Sequence, residues 1–124
     1  MTTIREWQKD VYKNSTEHGW NEDAIHCGYV GNDPNPQAVN YEMFGARMAL
    51  IHSEVSEALE EGRVGCFVMY YVNDKPEGVA VELADVIIRC LDLAEALKLD
   101  IESAMVAKHE YNKTRPYRHG NKKL

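Results

Sequence analysis

Apolar residues recur at helical spacing along most of this chain, and polar stretches rich in Gly, Pro, Asn and Asp separate the periodic runs. The first run sets Ile4, Trp7 and Val11 on one stripe behind Thr2 or Thr3, either of which can cap a helix. It predicts a helix over 1–19, ending near Gly19, with Trp7 in the core. Over 20–40, Gly28, Gly31 and the run Asn-Asp-Pro-Asn-Pro carry turn chemistry without a period, so a long loop is expected. A second helix is predicted over 41–61, stopped by Gly62, with Phe44, Met48, Ile51, Val55, Ala58 and Leu59 as its apolar stripe.

Residues 66–72, aromatic and β-branched between Gly65 and Asn73-Asp74, read as a short extended segment at an edge or subunit contact. Pro76 can open a third helix over 76–97 whose apolar residues point in nearly every direction, which predicts burial on all sides. In a short chain such burial is most easily reached when a second subunit supplies neighbours. Asp100 can cap a fourth helix over 100–114, with Ile101, Ala104, Met105 and Ala107 inward, and a basic tail covers 115–124. The expectation is one all-α domain over 1–124: four helices and one short extended segment, the bundle completed by dimerisation.

Composition changes this picture in two places. The chain has 124 residues, no run near the roughly eighteen apolar residues of a membrane span, and an N-terminus without a signal-peptide core, so a cytoplasmic protein with no membrane partner is expected. Cys27, Cys66 and Cys90 are odd in number and widely spaced, which argues against a disulfide framework or a zinc site. The net charge of −6 is unevenly distributed. Residues 1–107 hold eight Lys/Arg against nineteen Asp/Glu, a net −11, whereas 108–124 hold six Lys/Arg against one Glu. An acidic body concentrates cations and repels a nucleic-acid duplex, while the basic end suits phosphate groups.

Two pairs of carboxylates stand out against that background. Glu54/Glu57 and Glu82/Asp85 are each spaced by three residues, so each pair shares a helical face about one turn apart. Glu82 and Asp85 lie within the most apolar helix, where an ionised carboxylate needs a metal, an arginine or a proton. Four carboxylates converging from two helices form an oxygen-only donor set suited to Mg²⁺, with Mn²⁺ as a substitute. Arg89, one turn from Asp85, offers a simple ion pair instead. Glu61, four residues after Glu57, is an additional candidate ligand, whereas Asp92 and Glu95, toward the helix end where solvent access is expected, read as structural. An oxidase-type di-iron bundle needs Glu-x-x-His, and no histidine here has Glu three residues before it.

Glu54-Val55-Ser56-Glu57 followed by Glu82-Leu83-Ala84-Asp85-Val86 resembles the two acidic motifs of the MazG-like, all-α nucleoside triphosphate pyrophosphohydrolases. The segment from Lys108 to Gly120 is similar to that family's C-terminal nucleotide-contacting segment, so the resemblance covers about residues 40–120. It implies hydrolysis of a nucleoside triphosphate to the monophosphate and pyrophosphate, in nucleotide pool control or house-cleaning; covering the third helix calls for a homodimer or homotetramer. The resemblance implies that Glu54, Glu57, Glu82 and Asp85 hold Mg²⁺, with Glu57, Glu82 and Asp85 as catalytic residues. Lys108, Asn112 and Arg115, spaced by four and three, can share a face toward the phosphates or nucleoside, and Tyr111 and Trp20 are candidates to stack on the base. The competing reading is a non-catalytic, dimeric helical interaction module with a structural cation site.

Overall fold

The computed structural model describes residues 1–22 and 39–124. Its elements run α1 (Ile4–Glu17), α2 (Tyr41–Arg63), β1 (Tyr70–Val72), β2 (Lys75–Glu77), α3 (Val79–Ala96), α4 (Ile101–Lys113) and α5 (Arg118–Asn121). The fold is mostly helical, with one small antiparallel hairpin. Most of the loop expected over 20–40, with Cys27, lies outside the described residues.

Polar side chains start three of the helices. The Thr3 hydroxyl accepts from the Glu6 backbone N–H at 3.1 Å, and the Glu6 carboxylate accepts from the Thr3 N–H at 2.7 Å. This reciprocal box satisfies two donors that a helix start leaves orphaned. It also lowers the Glu6 pKa, chiefly through the backbone hydrogen bond. Asn40 accepts from the Met43 N–H at 3.1 Å, and Asp100 from the Ser103 N–H at 3.0 Å.

The segment between α2 and α3 departs from the expected single extended stretch over 66–72. Asn73 and Asp74 both take positive φ, at 49° and 66°, and form a two-residue turn that folds β1 back on β2. Such turns match the twist of a hairpin. Pro76 therefore lies in β2, opposite Tyr71, rather than opening a helix, and α3 begins at Val79 behind Gly78. Gly78 has φ of 110°, and a Cβ there would lie 2.5 Å from the Val68 carbonyl oxygen. Only glycine lets the backbone approach this closely.

Helix α3 is central: α1 and α2 both pack against it, and Val11, Ala58, Leu91, Ala94 and Leu97 form the buried apolar core. Two neighbours cover only part of a helix circumference. Within the single chain α3 is not buried all round, because Ala80, Leu83, Ala84, Ile87 and Cys90 form an outward stripe, with Leu83 51% and Ile87 59% exposed. Val55 and Leu59 of the expected α2 stripe are exposed as well, and α4 buries none of its residues, Met105 included. Among the described residues, no helix is long and apolar enough to cross a membrane.

Candidate active site

Helices α2 and α3 bring three of the four sequence-selected carboxylates to one point. Glu54 from α2 and Glu82 and Asp85 from α3 each offer an oxygen within 4.8 Å of the others. Glu54 and Glu82 are 7% and 6% exposed. Glu57, one turn after Glu54, is solvent-exposed but lies close enough to Glu82 to influence its ionisation. The first α3 turn that carries Glu82 is held by the segment that runs from α2 into the hairpin, through hydrogen bonds from the Val79 and Ala80 N–H groups to the Cys66 and Phe67 carbonyls.

The electrostatics of this cluster are those of an incompletely compensated acidic site. Burial pushes the Glu82 carboxyl up to about 7, and Glu57, Asp85 and Glu54 add to the effect. Its Oε2 atom is buried and has no hydrogen-bond donor. Asp85 is also raised, by burial first and then by Glu54, although Arg89 and Lys75 oppose the rise. Arg89 donates through Nε to Glu54. The ion pair expected between Arg89 and Asp85 is therefore replaced by one across the two helices. One guanidinium cannot neutralise the set, and the donors are all hard oxygens, which fits Mg²⁺ or Mn²⁺.

Lys75 is a neighbour that helical spacing could not reveal. It sits on β2, bonded to Glu77 at 2.7 Å, and its raised pKa comes first from Glu77, with contributions from Glu82 and Glu57. Glu61 turns elsewhere and accepts from the Tyr70 hydroxyl at 3.1 Å. Burial, followed by the Glu61 contact, pushes that hydroxyl up to about 12.

An open cleft of about 670 Å³ adjoins the acidic cluster, with Glu54, Asp85 and Arg89 in its wall. Helix α1 contributes Trp7, Asp10, Val11 and Asn14, which recur at helical spacing, and Trp20 follows from the turn beyond it. Trp7 was expected in the core but is 49% exposed in this wall, and Trp20 is 72% exposed. Val11 and Gln8 occupy the inward positions of α1 that a core Trp7 would need. Arg47 and Asp92, also lining the cleft, pair at 3.3 Å. Arg47 further donates to the Trp20 carbonyl at 3.0 Å, while Asp92 accepts from Ser15 at 2.6 Å and from Asn21 at 3.0 Å. Asp92 thereby ties α1, its following turn and α2 to α3.

The basic residues of the C-terminal part do not line this cleft. Lys108 and Arg115 instead flank the Tyr111 ring, at 5.0 and 5.9 Å from its centroid, and Asn112 lies on the same exposed helix end. Glu95 and Asp92, expected near solvent, are largely enclosed: Glu95 accepts from Gln8 at 2.6 Å and from Arg5 at 3.3 Å. The sequence offers Trp7 as a stacking candidate but favours the core for it, and it does not single out Asp10, Asn14, Arg47 or Lys75. The 7, 10, 11, 14 periodicity of α1 carries a signal for Asp10 and Asn14, whereas Arg47 and Lys75 depend on tertiary contacts.

No protein family, curated protein or solved structure matches the chain.

Proposed function

We propose that this chain is a Mg²⁺-dependent nucleoside triphosphate pyrophosphohydrolase of the MazG-like kind. The observation that carries the reading is the Glu82 carboxylate: buried, without a donor on Oε2, and surrounded by Glu54, Glu57 and Asp85. A buried anion among anions is costly unless a cation or a proton neutralises it. Bound at Glu54, Glu57, Glu82 and Asp85, Mg²⁺ would screen the triphosphate from the acidic cluster, polarise phosphoryl oxygens and stabilise charge on departing pyrophosphate.

The chain's own groups divide the remaining work. Glu57, the exposed carboxylate of the set, accepts a proton from the attacking water. The water oxygen bonds to one phosphorus of the α–β bridge, the bridging P–O bond breaks, and the products are the monophosphate and pyrophosphate. Glu82 and Asp85 would hold the cation whose positive charge positions the phosphates. The cleft beside them has the volume of a small-molecule site, and its exposed tryptophans offer stacking surfaces to a base.

A homodimer or homotetramer completes the molecule in this reading. The outward α3 stripe and the uncovered α4 give apolar area for a second copy to bury. Lys108, Tyr111, Asn112 and Arg115, which lie outside the cleft of their own chain, then reach substrate phosphates or nucleoside from a neighbouring copy. The test is a screen of standard and common modified nucleoside triphosphates with Mg²⁺, the products resolved by chromatography. Pyrophosphate and monophosphate from at least one substrate support the reading. No turnover by the folded, metal-supplied protein would leave the non-catalytic cation-binding module in its place.

A further inference from the structure

Glu54 and Asp85 of the acidic cluster line the cleft, and two polar side chains of α1 line the same space without partners. Asp10 and Asn14 are four residues apart and line the cleft on either side of Val11, with Trp7 one turn before Asp10. Among the described residues, neither the Asp10 carboxylate nor the Asn14 amide makes a hydrogen bond or ion pair. Other polar side chains in this wall are engaged: Ser15 bonds Asp92, and Arg47 bonds Asp92 and the Trp20 carbonyl. The unengaged pair sits beside the aromatic surface on which a planar ring would rest.

We infer that the α1 face formed by Trp7, Asp10 and Asn14 reads the base, selecting a guanine-type edge in which a ring N–H lies next to an exocyclic amino group. This rests on the nucleotide reading of the cleft. A carboxylate offers two acceptor oxygens side by side, and that edge offers two donors side by side. Adenine and cytosine place a ring-nitrogen lone pair beside their amino group, and uracil flanks its N–H with two carbonyls, so each brings an acceptor against Asp10. That repulsion rejects the wrong bases as the paired donors attract the right one. Asn14, one turn along, can donate its amide N–H to the neighbouring carbonyl oxygen of the same edge.

Equilibrium binding of GMP, IMP, AMP, CMP and UMP with Mg²⁺ tests the inference without any catalysis. Trp7 and Trp20 are the chain's only tryptophans and both line the cleft, so their fluorescence reports its occupancy. GMP should bind at least about tenfold more tightly than AMP, CMP or UMP, with IMP, which lacks the amino group, weaker than GMP. In Asp10→Asn, where one acceptor oxygen becomes a donor, the GMP preference should fall below about threefold. Asn14→Ala should weaken GMP and IMP together. Equal affinity for all five, a preference for another base, no binding at all, or an undiminished GMP preference in Asp10→Asn would overturn the inference. Selective GMP binding without hydrolysis of any triphosphate would uphold base selection while removing the pyrophosphohydrolase reading. Hydrolysis without a guanine preference would do the reverse.

Discussion

Helix α3 carries two pairs of acids at the same three-residue spacing, Glu82/Asp85 and Asp92/Glu95, and the fold treats them in opposite ways. The second pair is fully engaged: Asp92 has Arg47, Ser15 and Asn21, and Glu95 has Arg5, Gln8 and the Lys98 ammonium at 3.7 Å. The first pair is set against other carboxylates, and the Glu82 Oε2 atom has no donor. Burial alone does not separate the pairs, since Glu82 and Glu95 are almost equally enclosed. What separates them is the supply of donors. A carboxylate with its hydrogen bonds filled fastens helices together, whereas one denied them has an unmet demand for a cation.

Neutralising one acid of each pair should separate the two roles most strongly. Glu82→Gln should lower pyrophosphate release on the order of 10²-fold or more, with the helical circular dichroism unchanged. Asp92→Ala should instead destabilise the fold by about 3–5 kcal/mol in denaturant unfolding, because Arg47, Ser15 and Asn21 lose a shared acceptor. If Asp92→Ala left stability untouched, the distinction between fastening and cation-seeking acids would fail.

A smaller effect is expected at Gly78, which fixes the start of α3 and hence the first pair alone. Gly78→Ala places a Cβ against the Val68 carbonyl and forces an unfavourable φ, at a cost of about 1–3 kcal/mol. Its Mg²⁺ affinity should fall while the Asp92 network persists, as read by metal titration and by the chemical shifts of the Asn21 side-chain amide.

The smallest effect is a pH signature. Because Glu82 is raised from 4.5 to about 7, the metal-free fold binds its proton more tightly than the unfolded chain does. Its contribution to stability is full below about 4.5 and is lost as pH rises through about 7. A cation reverses the trend, since it competes with that proton. Thermal melts should therefore show little Mg²⁺ stabilisation near pH 5 and a clear rise in Tm near pH 8. Glu82→Gln should remove most of the difference. An equal Mg²⁺ effect at both pH values would detach the cation from Glu82.

Much of the fold was legible along the chain because helix periods and caps are local. Thr3 and Asp100 announce their helices by side-chain chemistry that acts within three residues. The hairpin was not legible because two local signals competed: Pro76 suits a helix start, but the Asn73-Asp74 turn and the glycine at 78 end the strand pair first. The apolar stripes of α2 and α4 promised more burial than one chain provides, since periodicity marks a face without naming what covers it.

For the candidate site, the two acid pairs and their helical faces follow from residue order alone, because spacing of three on a helix fixes direction whatever surrounds it. Long-range packing sets which acids lack donors, because it brings Arg47, Gln8 and Arg5 to the second pair and other carboxylates to the first. It also turned Trp7 from an expected core position into a cleft wall beside Asp10. Covalent geometry carries a side chain's direction, but its solvation and its partners come from segments far away in the chain.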